Sequence, residues 1–243
     1  MITENFITNR SGEHIDYTCH PAGSADALVI LAHGLTGNKD RPLMVALAEG
    51  LAERGWPCLR ISYTGNGESE GRFEDSCITK ETGDLQALLA LVPNTASVAY
   101  VGHSMGAAVG VLTAARDLRI RVLVSLAGMT HTRAFVEREF SSIVPGQGNM
   151  WDEEGCPLSQ GFVADLSEID NTLSAAEAVT QPWLLIHGDA DDLVPVQDSR
   201  DACDAAICEK KLVELVGAGH SFDEAFYPQL VEEIDQWLKL NFS

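Results

Sequence analysis

Residues 96–115 constrain the chain more than any other stretch. Ala96 to Val101 is an apolar run of strand length, and Ala107 to Ala115 is a run of small residues suited to a helix. Between them stands Gly102-His103-Ser104-Met105-Gly106. A chain that swings straight from strand into helix strains the residue at the corner and crowds its neighbours. Glycine two residues to either side removes the side chains that would collide. G-x-S-x-G at such a corner sets a serine hydroxyl at the carboxyl edge of a sheet, beside the positive end of the new helix. The five residues alone are a weak signal, because glycine and serine are common; the strand before and the helix after supply the required context.

The rest of the chain repeats that alternation. Ala27–Ala32, Cys58–Tyr63, Val122–Ala127, Trp183–His187 and Lys211–Leu215 read as strands. Helical spacing is expected over Pro42–Arg54, Lys80–Leu91, Val196–Ala206 and Asp223–Leu240. Strands alternating with helices predict a mostly parallel α/β sheet covered on both faces. Phe6–Thr8 and His14–Cys19, about a polar glycine-containing turn, predict an antiparallel hairpin at the N-terminus. No repeat or linker divides residues 1–243, so one domain is expected. Its regular pattern breaks at about 129–180, where helical scraps (Thr132–Phe140 and Ser174–Val179) and the aromatics Phe135, Phe140, Trp151 and Phe162 suggest a small lid insertion. Those aromatics suit the core of a lid and the wall of a pocket equally.

The chain has 243 residues and a formal net charge of −20. So acidic a surface repels nucleic acid and anionic membrane, which leaves a small molecule as the expected partner. No apolar run is long enough to span a membrane, and the first ten residues lack the apolar core of a secretory signal, so a cytoplasmic location is expected. Six cysteines without a C-x-x-C pair read as free thiols, although an even count leaves disulfides open. The glycine-punctuated loop Thr64–Gly71 lacks the lysine of a phosphate-binding loop and reads as structural. Neither a metal nor a cofactor is expected.

A serine hydroxyl becomes a useful nucleophile only when a base takes its proton and a third group orients that base. Two later stretches leave the carboxyl ends of predicted strands. They are His187-Gly188-Asp189-Ala190-Asp191-Asp192-Leu193-Val194-Pro195 and Gly217-Ala218-Gly219-His220-Ser221. In a doubly wound sheet those ends share one edge, so a serine, a carboxylate and a histidine remote in sequence converge there. The acid could come from any of three aspartates. His220 stands out among the histidines for its glycine-rich approach, whereas His33, His103 and His187 read as structural or as the floor of the site.

The order Ser, Asp, His resembles that of the α/β-hydrolases, in the branch of esterases, monoglyceride lipases and serine-aminopeptidase-like proteins. The resemblance rests on His33-Gly34, Gly67-Glu68-Ser69, Gly102–Gly106, His187–Asp191 and Gly219-His220. It implies an α/β-hydrolase fold with a mostly parallel eight-stranded sheet, and a triad of Ser104, Asp191 and His220. Asp191 is chosen because it fills the aspartate place of H-G-x-x-D. The resemblance also implies an oxyanion hole made by the backbone amides of Leu35 and Met105. Ser62 and Thr64 stand where relatives often carry Asp and Arg, a departure that touches subfamily and not chemistry. The expected activity is hydrolysis of small to medium acyl or aryl esters through an acyl-enzyme on Ser104. The same triad would serve a peptidase, amidase or thioesterase, and a non-catalytic binding protein on this fold would be expected to have lost a triad member.

Overall fold

The computed structural model describes residues 7–23, 27–93 and 95–242. In chain order the strands are β1 (Ile7–Thr8), β2 (His14–Ile15), β3 (Tyr17–His20), β4 (Ala27–Ala32), β5 (Cys58–Ile61), β6 (Ser97–His103), β7 (Ile120–Leu126), β8 (Trp183–Gly188) and β9 (Lys210–Leu215). The helices are α1 (Pro42–Glu53), α2 (Ile78–Leu91), α3 (Met105–Ala114), α4 (Thr132–Phe140), α5 (Gln160–Ile169), α6 (Leu173–Ala178), α7 (Val196–Ala205) and α8 (Tyr227–Asn241). The main sheet has the order β3-β5-β4-β6-β7-β8-β9, antiparallel at β3 and parallel elsewhere.

The central strands β4, β6, β7 and β8 are largely apolar because both faces are covered, and their alternate residues feed two separate cores. Ile30, Tyr100, Leu123 and Leu185 pack with α2, α3 and α7 on one face. Val29, Leu31, Val101, Val124 and Ile186 pack with α1 and α8 on the other. The chain steps from β4 to β5 in one direction across the sheet and returns past β4 to β6. Right-handed crossovers therefore put α1 and α2 on opposite faces, and the order reverses between β4 and β6. The loops that follow those two strands begin at His33 and Ser104.

The N-terminal hairpin is present as β1 paired with β2, Ile7 opposite Ile15, while Phe6 lies outside the described residues. Its second arm is shorter than the sequence pattern implies. At Asp16 the N–H donates to Ser69 Oγ (2.8 Å) and the carbonyl accepts from Ser62 N–H (2.9 Å). Those bonds pull the chain off β1 and into the main sheet as β3. Hence the main sheet holds seven strands among the described residues instead of the implied eight, and β1–β2 stays a separate two-stranded ribbon. Between β7 and β8 the chain forms α4, α5 and α6, of which α5 has no counterpart in the sequence reading. Ser159 caps it by accepting the Phe162 N–H at 3.0 Å. Among the described residues no helix is long and apolar enough to cross a membrane.

Candidate active site

Ser104 sits on the corner between β6 and α3 with φ 56° and ψ −119°, a left-handed backbone in a non-glycine residue. The corner is over-determined by its surroundings. Ser104 N–H donates to Leu126 O at 2.9 Å, and the Ser104 carbonyl accepts from the Ala107 and Met129 amides at 3.0 and 3.2 Å. A Cβ on Gly102 would strike the Gly106 carbonyl, and one on Gly106 would strike the His33 carbonyl. Below the corner, Tyr63 OH donates to Tyr100 OH (2.6 Å), which donates to Gly106 O (2.7 Å). The sheet thus buttresses the strained turn through a buried pair of phenols.

The structure brings Ser104, His220 and Asp191 together. Ser104 Oγ lies 3.0 Å from His220 Nε2, and His220 Nδ1 lies 2.8 Å from Asp191 Oδ2. The Asp191 side chain is fully buried. Its Oδ1 accepts from the amides of Leu193 (2.9 Å) and Val194 (2.8 Å). Burial alone would raise its carboxyl group. Hydrogen bonds from His187 and His220, the neighbouring His220 charge and the Val194 amide outweigh that effect, and hold it well below the usual carboxylate range. The site therefore keeps a charged carboxylate behind the imidazole, which fixes Nδ1 as the protonated nitrogen and leaves Nε2 free to accept from Ser104.

Three further histidines surround this group, and each has an assignable tautomer. His103 Nε2 faces the His220 carbonyl at 2.9 Å, so that nitrogen carries the proton. Burial, followed by the neighbouring His220, pushes the His103 ring down to about 3, so it stays neutral and pins the His220 backbone. His33 Nδ1 donates to Gly34 O (2.7 Å) and its Nε2 accepts from Tyr63 N–H (3.0 Å). This ring ties the loop after β4 to the end of β5. It is pushed down to about 4, chiefly by burial, with the Arg41 charge acting in the same sense. His187 is the one whose role the sequence did not reveal. Its Nε2 faces both Asp191 Oδ2 (3.1 Å) and Val194 O (2.9 Å), and its Nδ1 faces Ser199 Oγ (2.7 Å). Two imidazoles therefore share one oxygen of Asp191.

The loop after β4 presses on the serine. A Cβ on Gly34 would come within 2.7 Å of Ser104 Cβ and 3.2 Å of Ser104 Oγ. Leu35 follows at once, and Met105 opens α3, where first-turn amides lack intrahelical acceptors. Among the described residues neither amide donates to a backbone carbonyl. A cavity of about 350 Å³ opens over Ser104 and His220, walled by Leu35, Leu43, Met44, Phe135, Trp151 and Tyr227. The aromatics of the β7–β8 segment thus divide between two duties. Phe140 and Phe162 are buried in the core of that segment, whereas Phe135 and Trp151 reach the cavity.

Residues 27–155, just over half the chain, match the family described as alpha/beta hydrolase fold. The chain belongs to that family. Among its relatives, the uncharacterized protein Rv2307c of Mycobacterium tuberculosis is 29% identical over 213 residues, covering 86% of this chain and 68% of that protein. Among solved structures, Est1E from Butyrivibrio proteoclasticus with ferulic acid bound superposes with a TM-score of 0.83 at 23% identity, covering 98% of this chain and 99% of that one. The Pyrococcus furiosus esterase Pf2001 gives 0.77 at 22% identity, covering 98% and 91%. At those identities the likeness is one of fold.

Several other residues find their places in this α/β-hydrolase. Asp189 is exposed and accepts the Gly217 N–H at 2.6 Å, so it braces the loop that delivers His220, while Asp192 is exposed beside it. Thr64 and Ser62 tie the loop after β5 to other segments. Thr64 N–H and Oγ1 both donate to Asp84, at 2.9 and 2.7 Å, and Ser62 Oγ accepts from Lys39 N–H at 3.0 Å. The glycine loop closes on itself through Gly65 N–H to Glu70 O at 2.8 Å. All six cysteines are unpaired. Among the described residues no cluster of three or more His, Cys, Asp or Glu side chains could hold a metal ion.

Proposed function

We propose that this protein is a serine hydrolase that cleaves carboxylic esters of small to medium acyl or aryl groups through an acyl-enzyme on Ser104. One observation carries the reading: a strained, buttressed serine with its Oγ 3.0 Å from an imidazole whose other nitrogen is 2.8 Å from a buried carboxylate. Ser104 Oγ attacks the ester carbonyl carbon while His220 Nε2 takes the hydroxyl proton. Asp191 stabilises the imidazolium that forms and does not itself take the proton. Negative charge gathers on the former carbonyl oxygen, where the Leu35 and Met105 amides donate; loss of one such donor typically costs about 10²–10³ in rate. Collapse breaks the bond to the alkoxy oxygen, and His220 returns its proton to the departing alcohol. Water, deprotonated by the same nitrogen, then attacks the acyl-enzyme, which releases the acid and restores Ser104.

A cavity of about 350 Å³ with mostly apolar walls suits a compact acyl or aryl group. The ferulic acid bound to Est1E and the name of the Pyrococcus protein support an ester substrate by analogy. Unpaired thiols throughout are in keeping with a reducing compartment. The test is turnover of p-nitrophenyl acyl esters by the wild type and by Ser104→Ala, with fluorophosphonate labelling of Ser104 as a second readout. A loss of about 10⁴-fold or more in kcat is expected, in line with nucleophile deletions in other serine hydrolases. Equal rates in the two proteins would end the proposal.

A further inference from the structure

The cavity over Ser104 is charged in a way the rest of the molecule is not. The chain carries 36 acidic and 16 basic residues. Among the residues lining this cavity there is no Asp or Glu, and one cation, Arg41. Arg41 stands immediately before α1, within the same wall as Leu35 and Thr36. Its charge reaches the floor of the site, since it is one of the influences that depress His33.

The guanidinium is poorly occupied. Nη2 donates to Thr36 O at 2.9 Å. Its nearest carboxylate, Glu153 of the β7–β8 segment, stays 3.8 Å away, and both side chains are about half exposed (51% and 44%). Among the described residues it has no other acceptor, so most of its five N–H donors face solvent or the cavity. A guanidinium matches a carboxylate with two parallel bonds, which the Glu153 contact does not achieve. The net charge of −20 opposes the approach of an anion only within a screening length of about 8–10 Å at moderate salt, and a cation inside the cavity offsets it locally.

Resting on the hydrolase reading above, we propose that Arg41 forms an anion subsite in the Ser104 cavity, and that the preferred substrates are esters carrying a carboxylate remote from the scissile bond. Glu153 occupies the subsite weakly in the free protein and gives way to the substrate.

The probes are the monoethyl and diethyl esters of succinic, glutaric and adipic acids, which differ in charge and in the reach of the carboxylate. The readout is the ratio of kcat/KM for the monoanion to that for the neutral diester. The wild type should favour the monoanion at one chain length. Arg41→Gln should lower that ratio about tenfold, the scale of one charge-assisted hydrogen bond. Glu153→Gln should raise it a few-fold by removing the competitor. An unchanged ratio in Arg41→Gln would overturn the proposal, including the case where both esters slow together because Arg41 merely props the Thr36 loop. A flat or lower ratio in Glu153→Gln would also overturn it. Calorimetric binding of the same esters to Ser104→Ala, with and without Arg41→Gln, gives the ratio without turnover. Absent hydrolysis and absent labelling of Ser104 would thus sink the hydrolase reading, while the binding ratio would still decide the anion subsite.

Discussion

His187 offers a measurement of how the Asp191 carboxylate is held. One oxygen of Asp191 accepts from His220 at 2.8 Å and from His187 at 3.1 Å. Each bond is charge-assisted and worth roughly 1.5–3 kcal/mol. Replacing His187 by Met keeps a long side chain in a fully buried site but deletes the second donor. Among the described residues Asp191 Oδ2 then keeps His220 as its one side-chain donor, and the carboxylate that orients the proposed base is held less firmly. At about 1.4 kcal/mol per tenfold, a bond of that worth lost in full corresponds to a fall of about 10–100-fold in kcat/KM. His187→Gln returns an N–H near the position of Nε2 and should restore most of the rate.

The assay is kcat/KM for a p-nitrophenyl ester in the three proteins at one pH, with urea midpoints taken alongside. His187→Met also strands Val194 O and Ser199 Oγ, so a loss of about 1–3 kcal/mol in stability is expected whatever happens to the rate. The rate is therefore the deciding quantity. A Met variant that is less stable but turns over at the wild-type rate would show that His187 only packs, and that His220 with the Leu193 and Val194 amides is enough to hold Asp191.

Other perturbations give equally definite outcomes. Gly34→Ala puts a methyl group 2.7 Å from Ser104 Cβ, so kcat should fall by about 10²-fold or more as the loop carrying the proposed oxyanion donor Leu35 is displaced; an active variant would refute that packing. Tyr100→Phe removes the donor to Gly106 O and the acceptor of Tyr63 OH, and should cost about 1–3 kcal/mol by denaturant melting, with unchanged stability refuting the buttress. Glu81 is driven well above the usual carboxylate range by burial, against the opposing Ser76 bond and with help from the Asp84 charge, and its Oε2 has no partner. Its native form holds a proton that the unfolded chain releases above about pH 4.5. Its contribution is full below that pH and falls by up to about 1.4 kcal/mol per unit as pH rises toward the native value. Glu81→Gln, neutral at every pH, should flatten the decline in urea stability between pH 5 and 8, and an unchanged slope would count against a protonated Glu81.

Local sterics made the elbow legible. Gly102 is dictated by the Gly106 carbonyl four residues on, so that half of the motif carries its own geometry, whereas Gly106 makes room for the His33 carbonyl of the loop after β4. The parallel strands were readable for a similar reason, since burial on both faces demands unbroken apolar runs. Helix α5 was not readable, because Gly161 in its first turn masks the spacing of Phe162, Leu166 and Ile169. The departure of β3 from the hairpin depends on bonds from Asp16 to Ser62 and Ser69, more than 40 residues away, which no window of sequence displays. His187 left a trace in its four-residue spacing to Asp191, but the same spacing fits a histidine that merely ends a strand.

This division has a consequence for how the chemistry and the choice of substrate are related. Ser104, Asp191 and His220 each follow a strand end, and the sheet fixes those ends by registers that all the buried strands share. The cavity walls come from elsewhere: Leu43 and Met44 from α1, Phe135 and Trp151 from the β7–β8 segment, and Tyr227 from the start of α8. None of these residues hydrogen-bonds to Ser104, Asp191 or His220, so a change in one need not alter the distances on which the proposed proton transfer depends. Arg41 belongs to this second set. A substitution there should redirect the site toward other esters while the Ser104–His220–Asp191 spacing persists. For that reason a selectivity ratio, and not a bare rate, is the quantity that reports on it.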